Sequence, residues 1–251
     1  MTGILFIARL GSERLSNKHL IEASGKTFIE WLVARYADEF KNEIETGQVK
    51  LIIATSVRPE NKQFETVLKD YPVSVFYGDD EHIPLRQVNC AEKFELKNII
   101  SIDGDDILCS TAAAKKIYHE LNYSFKPLVK SIGLPFGMNS IGYSLDCLKN
   151  SIAVNQRKVE TGWGRIFNNN LMGEINLGNY ANNKELRFTL DYNQDADFFK
   201  AIISYFGLKI ISLKDSDLIS AVISQRFFKI NQSLHEQYWN NFNAQKDLED
   251  I

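Results

Sequence analysis

The N-terminal half of the chain alternates short apolar runs with segments of helical spacing, and few folds can use that pattern. Gly3–Ala8, Val49–Thr55, Val73–Tyr77 and Asn98–Asp103 are near-continuous runs rich in β-branched residues, as expected of strands covered on both faces. Thr27-Phe28-Ile29-Glu30 has the form of a capping box, and Phe28, Leu32, Tyr36 and Phe40 then follow along one helical stripe. Pro59–Lys69 predicts a short helix with Phe64, Val67 and Leu68 on its inner face, and Leu85–Phe94 predicts another. This alternation predicts an α/β fold, a mostly parallel sheet with right-handed crossovers and flanking helices. Ligands of such sheets lie beyond the carboxyl ends of the strands. The segments to inspect are therefore Arg9–Lys18, Thr55–Arg58, Gly78–Arg86 and Asp103–Asp106.

The middle, roughly Lys126 to Asn183, is rich in Gly and Asn with short apolar runs at Leu128–Ile132 and Ile141–Leu145. It predicts a small irregular β insertion, the kind of region that carries substrate-specific contacts. Leu186–Leu190 predicts a further short strand, Ala196–Phe206 a helix, and Leu218–Phe228 and Ser233–Phe242 two more helices. No internal repeat or linker interrupts the chain. One domain over residues 1–251 is the simplest organisation, with about 126–185 as its substrate-specific or dimer-forming part and 215–251 as C-terminal helices.

Composition removes several classes. The three cysteines (Cys90, Cys109, Cys147) form no C-x-x-C pair, which argues against a zinc ribbon or a disulfide framework and fits small buried residues in a reducing cytosol. Four histidines without H-E-x-x-H spacing argue against a zinc hydrolase. No apolar run approaches the ~20 residues of a membrane helix, and no basic n-region leads into an apolar stretch at the N-terminus. A net charge of −3 offers nucleic acid no general attraction. The expectation is a soluble cytoplasmic protein, with neither nucleic acid nor membrane as partner, that binds phosphate only locally.

The segment Arg9-Leu10-Gly11-Ser12-Glu13-Arg14-Leu15-Ser16-Asn17-Lys18 follows a strand and gathers Gly, Ser, two Arg and a Lys. A triphosphate needs backbone N–H groups that approach closely, which Gly11 permits, and fixed cations, of which Arg supplies a fork and Lys a point charge. The segment is neither a Walker loop nor a G-x-G-x-x-G fingerprint, and its composition also suits a solvated basic loop. Mg²⁺ takes one or two carboxylates plus substrate phosphates. Asp105, at a strand end, and Asp191, after the Leu186–Leu190 run, are candidate ligands, although each taken alone is an ordinary loop acid. Asp103 can serve as a turn acceptor, and Asp106 as a helix cap or surface charge.

A strand running into A-R-x-G-S-x-R-L-x-x-K resembles the opening signature of the cytidylyltransferases that make CMP-activated acidic sugars. These are the CMP-KDO and CMP-acylneuraminate synthetases, and most closely the spore-coat-polysaccharide type. Ile53-Ala54-Thr55-Ser56 is similar to the family's second-strand I-A-T-S, and Gly78-Asp79-Asp80-Glu81-His82-Ile83-Pro84-Leu85-Arg86 to its G-x-x-x-D-V-L-x-R. Ile102-Asp103-Gly104-Asp105 resembles the strand-ending G-D, and Leu186-Arg187-Phe188-Thr189-Leu190-Asp191-Tyr192 the family's R-L-T-V-D-x-P-E-D. Five matches in family order span most of the chain.

The resemblance implies a Rossmann-like (GT-A-like) fold, CTP as substrate and Mg²⁺ as cofactor. It implies a small acidic sugar or related precursor of a bacterial surface polysaccharide, such as capsule or lipopolysaccharide, as acceptor, and a homodimer. Carried over by position, Arg14, Lys18 and Asp105 become catalytic and Asp105 and Asp191 metal-holding. Ala8, Arg9, Leu10, Gly11, Ser12, Arg14, Lys18, Thr55, Ser56, Gly78, Arg86 and Asp103 become nucleotide-binding. Arg86 keeps two readings, a base or phosphate contact and an exposed helix residue. Thr55 and Ser56 can equally cap the following helix, and Trp163 can line an acceptor pocket or pack in the core.

Four departures from the family stand out. Ser16-Asn17 replaces Pro-Gly before the signature lysine, Ile107 stands where a proline is favoured, and Asn193-Gln194-Asp195 replaces Pro-Glu-Asp. The usual E-H-V-T is absent, with Glu160-Thr161-Gly162-Trp163 in that region. Two other readings remain beside cytidylyl transfer: a nucleotide-sugar glycosyltransferase using Asp103-Gly104-Asp105 as a D-x-D, and a non-catalytic nucleotide-binding relative.

Overall fold

The computed structural model describes residues 1–12, 14–155 and 159–249, so Glu13 of the basic segment and residues 156–158 of the middle region lie outside the described residues. The strands are β1 (Thr2–Ile7), β2 (Glu22–Ala23), β3 (Lys26–Thr27), β4 (Val49–Ser56), β5 (Val73–Gly78), β6 (Asn98–Asp103), β7 (Leu128–Ile132), β8 (Ile141–Ser144) and β9 (Gly173–Asn176). The α-helices are α1 (Phe28–Glu39), α2 (Lys41–Glu45), α3 (Gln63–Val67), α4 (Ile83–Lys93), α5 (Thr111–Tyr123), α6 (Leu145–Asn155), α7 (Asn193–Phe206), α8 (Asp215–Ser224) and α9 (Leu234–Glu249).

Seven strands form one sheet in the order β5-β4-β1-β6-β8-β7-β9, and β2 and β3 form a separate hairpin. β5, β4, β1 and β6 run parallel, β8 is antiparallel to both its neighbours, and β9 is parallel to β7. The fold is thus the expected α/β architecture. The chain leaves β1 towards β4 on one side and returns to β6 on the other, which opens a crevice at the carboxyl ends of β1 and β6.

Every residue of β1 is buried because both faces of the sheet are covered. Ile4 and Phe6 pack with Leu32 and Tyr36 of α1, while Leu5 and Ile7 pack on the other face with Val88 and Ala91 of α4. A third cluster joins Phe28 and Trp31 of α1 to α7 and α8. The Thr27 capping box forms: the Glu30 N–H donates to Thr27 Oγ1 at 3.4 Å, and the Thr27 N–H donates to Glu30 Oε2 at 2.7 Å. Among the described residues, no helix is long and apolar enough to cross a membrane.

The structure differs from the sequence reading in several places. Leu186–Leu190 is not a strand: only an isolated parallel bridge pairs Arg187 with Phe136. The Leu190 N–H donates instead to the Asp105 carbonyl at 2.9 Å, so the segment is tied to the crevice rather than to a ladder. Helices α5 and α6 were not anticipated, and α9 runs on to Glu249, well past Phe242.

Candidate active site

The crevice opens into a cleft of about 740 Å³. Its floor is the loop after β6, where Asp103 ends the strand and Asp105 and Asp106 follow Gly104. Gly104 donates its N–H to the Ile7 carbonyl at 2.8 Å, pressing this loop against the end of β1. A Cβ added to Gly104 would sit 2.7 Å from Ala8 Cβ and 2.9 Å from the Ile7 carbonyl oxygen. Gly104→Ala is therefore expected to cost about 1–3 kcal/mol and to push Asp105 out of place. Chemical denaturation should show the lower midpoint, and an unchanged midpoint would contradict this close approach.

The basic segment forms one wall. Asn17 adopts a left-handed conformation (φ 50°, ψ 30°) and opens the 3₁₀ turn Lys18–Leu20. Asparagine tolerates this conformation better than most residues. The turn buries Lys18, whose ammonium donates to Asp105 Oδ2 at 2.6 Å and to the Leu190 carbonyl at 3.0 Å, and lies 3.6 Å from Asp191 Oδ1. Arg14 reaches the same Asp191 oxygen at 2.8 Å. Burial alone would raise the Asp105 carboxyl, but the Lys18 charge, with smaller help from Arg14, holds it below the ordinary carboxylate value.

Asp103 opens into the cleft, yet desolvation between the walls pushes its carboxyl up to about 6 against the Trp163 Nε1–H donated to its Oδ1 at 3.2 Å. Asp106 is also raised, first by burial and then by the charge of Asp103. His19, missed in the sequence, lies with Nε2 3.5 Å from Asp105 Oδ1; burial pushes it down to about 4 and keeps the imidazole neutral.

Asp191 is held from behind. Arg187 donates to Asp191 Oδ2 at 2.9 Å and to both oxygens of the fully buried Asp195. Asp195 also accepts the backbone N–H groups of Asp191 and Tyr192 at 3.0 and 3.1 Å. The last acid of the Asn193-Gln194-Asp195 sequence thus caps α7 and fixes the loop that carries Asp191.

Of the residues singled out in the sequence, Ala8, Arg9, Gly11, Ser12, Arg14, Lys18, Arg86, Asp103, Asp105 and Asp191 line this cleft. Four do not. Leu10 is buried, and its N–H donates to Asn61 Oδ1 at 2.9 Å. Ser56 is fully buried and accepts from Asn61 Nδ2 at 2.9 Å, so it holds the basic segment through Asn61. Thr55 is fully buried as well, and Gly78 lies against the Arg86 side chain. Arg86 is not an exposed helix residue: it is 1% exposed and donates to the carbonyls of Asp79 and Asp80 at 2.7 and 3.0 Å. Trp163 lines the cleft and packs against Tyr143 and Phe167.

The donor set fits Mg²⁺. Carboxylates of Asp105 and Asp191 converge on one cationic nitrogen, that of Lys18. Among the described residues no group of three or more His, Cys, Asp or Glu has metal-holding geometry. Two carboxylates with phosphate oxygens completing the shell are the usual Mg²⁺ arrangement, whereas zinc or calcium would need more protein ligands.

Comparison with known proteins gives this geometry a family. Uncharacterized protein MJ1063 of Methanocaldococcus jannaschii is 25% identical over 214 residues, 82% of this chain and 85% of its own length. A cytidylyltransferase from Leptospira borgpetersenii superposes with a TM-score of 0.74 at 20% identity, covering 90% of this chain and 95% of that one. A CMP:2-keto-3-deoxy-manno-octonic acid synthetase complexed with CTP has the same fold, with a TM-score of 0.57 at 14% identity and coverage of 81% and 98%. The sequence model of the cytidylyltransferases matches residues 4–162, well over half of the 251, from β1 through the cleft floor to Gly162. The chain belongs to the cytidylyltransferase family.

Proposed function

We propose that the protein transfers the cytidylyl group of CTP to an oxygen of a small acidic sugar or related surface-glycan precursor, with Mg²⁺, releasing pyrophosphate. The observation that carries this reading is the meeting of Asp105 and Asp191 on the Lys18 ammonium, beneath Arg14, in the crevice at the ends of β1 and β6. Acids that converge on a cation beside a cationic segment suit a triphosphate that arrives with a divalent metal.

The attacking oxygen and the pyrophosphate leaving group lie in line across the α-phosphorus, and the protein's task is positioning and charge stabilisation. The Gly11–Ser12 backbone and Arg9 bind the triphosphate, while Arg14 and Lys18 meet the negative charge that develops on the transferring and leaving oxygens. Asp105 and Asp191 would hold Mg²⁺, which when bound neutralises phosphate charge at the reacting centre. Arg187 and Asp195 keep the Asp191 carboxylate aimed into the cleft.

The same reading makes residues 1–251 one nucleotidyltransferase domain of the spore-coat-polysaccharide type, acting as a cytoplasmic homodimer in surface-polysaccharide synthesis. The motifs from Arg9 to Tyr192 support it. The test is pyrophosphate release from each of the four NTPs against a panel of acidic sugars. Release with CTP and one acceptor, abolished by EDTA and restored by Mg²⁺, is the expected result. CTP that fails to bind in calorimetry sinks the proposal, and turnover of a nucleotide sugar without pyrophosphate would point to glycosyl transfer.

A further inference from the structure

Helix α9 lies beyond the part of the chain that the family model matches, yet it forms a wall of the cleft. Tyr238, Phe242, Gln245 and Glu249 all face the cavity. The helix is seated on the Thr161–Arg165 segment. Gly162 is left-handed (φ 57°), and a Cβ there would stand 2.8 Å from Phe242 Cζ. Glu249 Oε1 accepts the Thr161 N–H at 2.8 Å, and Glu249 Oε2 takes Arg165 at 2.8 Å. This end of the cleft is aromatic and acidic, whereas the cations lining the cleft are Arg9, Arg14 and Lys18 of the basic segment, Arg58 after β4 and Arg86 of α4.

An ion pair joins this end to the basic segment. The Arg9 guanidinium pairs with Glu160 Oε1, with Asp80 a looser second partner at 3.9 Å. Both Arg9 and Glu160 keep about a third of their side chains accessible from the cleft, 30% and 36%. A triphosphate on the basic segment competes with Glu160 for Arg9 and carries more charge than one carboxylate. Once Arg9 turns to phosphate, Glu160 loses its ion-pair partner and keeps only the longer-range charge of the buried Arg86, so its half-buried oxygens are open to new donors. Desolvation already raises the Glu160 carboxyl even while Arg9 opposes it.

Resting on the cytidylyltransferase reading, we propose that Glu160 is the acceptor-anchoring residue of this protein, masked by Arg9 until CTP binds. CTP then frees the carboxylate to accept hydrogen bonds from the acceptor's hydroxyl or ammonium groups, in a subsite walled by the Glu160–Trp163 segment and the Tyr238–Phe242 face of α9. The acceptor is accordingly a compact acidic sugar that turns hydroxyl or ammonium groups to Glu160 and one apolar face to the aromatic rings, and it enters after CTP.

The test sets Glu160→Gln beside the wild type, with CTP and Mg²⁺ in calorimetry and with the acidic-sugar panel in the pyrophosphate assay. Removing the competing anion should tighten CTP binding about three- to fivefold, the size of a partly exposed ion pair. The acceptor KM should rise about tenfold or more, as for a lost charged hydrogen bond. A structural role would weaken both ligands together, so movement in opposite directions is the signature. CTP affinity that is unchanged or weaker in the variant overturns the proposal, whatever the panel shows. Hydrogen exchange of the wild type supplies a measurement independent of the variant's folding: amides at residues 159–165 should exchange faster with CTP bound, and unchanged rates also overturn it. A wild type that binds no CTP fails earlier and differently, because that removes the cytidylyltransferase reading itself.

Discussion

Asp105→Asn will leave the protein folded and will lower pyrophosphate release from CTP by about a thousandfold or more, the scale set by removing a group that stabilises charge in a transition state. The fold survives because the side chain is 30% exposed and Lys18, its main partner, keeps Asp191 and the Leu190 carbonyl. Activity does not survive, because asparagine is isosteric but neutral. It still accepts from Lys18 through its carbonyl, yet it adds no charge to hold Mg²⁺ against the triphosphate. CTP titrations of the variant with and without Mg²⁺ separate these effects: Mg²⁺ should strengthen CTP binding to the wild type far more than to the variant. Near-normal turnover in Asp105→Asn would remove Asp105 from the metal site and leave Asp103 and Asp106 to be tested in turn.

Asp195→Ala carries the largest expected effect on stability. Asp195 is fully buried and accepts five hydrogen bonds: two from Arg187, two from the backbone of Asp191 and Tyr192, and one from Asn231 Nδ2 at 2.9 Å. Arg187 is itself only 1% exposed, and despite burial its guanidinium is held above its ordinary value by Asp195 and Asp191. Truncating Asp195 leaves Arg187 with Asp191 as its remaining carboxylate and strips an acceptor from two backbone N–H groups and from Asn231, at a cost of about 3–5 kcal/mol. At roughly 2–4 °C per kcal/mol for a chain of this size, the melting temperature should fall by on the order of 10 °C. The variant should also lose turnover at temperatures where it remains folded, since the loop that aims Asp191 loses its anchor. A loss below about 1 kcal/mol in denaturant titration would show that Asn231 and water replace the carboxylate, and that the network matters less than its burial implies.

Much of the site was legible in the sequence because its chemistry is local. Arg9–Lys18 and Asp103–Asp106 each follow an apolar run that reads as a strand, and in a parallel sheet the ends of adjacent strands share one edge. The αL turn at Asn17 is local in the same way, since it depends on one residue's tolerance for positive φ. Thr55 and Ser56 carried the right motif, but burial was invisible from it. Their strand is covered on both faces, so Ser56 serves Asn61 rather than facing the cleft.

Leu186–Leu190 shows the limit of periodicity. Its residues are all buried, as the apolar pattern demands, but strand formation also needs a neighbour with free backbone groups. The Phe188 and Leu190 N–H groups instead find the carbonyls of Phe136 and Asp105, and the segment becomes a strap across the end of the sheet.

By itself, the sequence determined the class of fold, the two cationic and acidic ends of β1 and β6, and the family's chemistry, because each is encoded in short runs whose residue types dictate their local behaviour. Only the tertiary structure decided which charges meet. Lys18 reaches Asp105 across 87 residues, Arg9 reaches Glu160 across 151 and Lys18 reaches the Leu190 carbonyl across 172. No local propensity carries such pairings. They arise because burying both faces of one sheet brings the loops at its carboxyl edge, and the helix laid over them, to the same few ångströms of space.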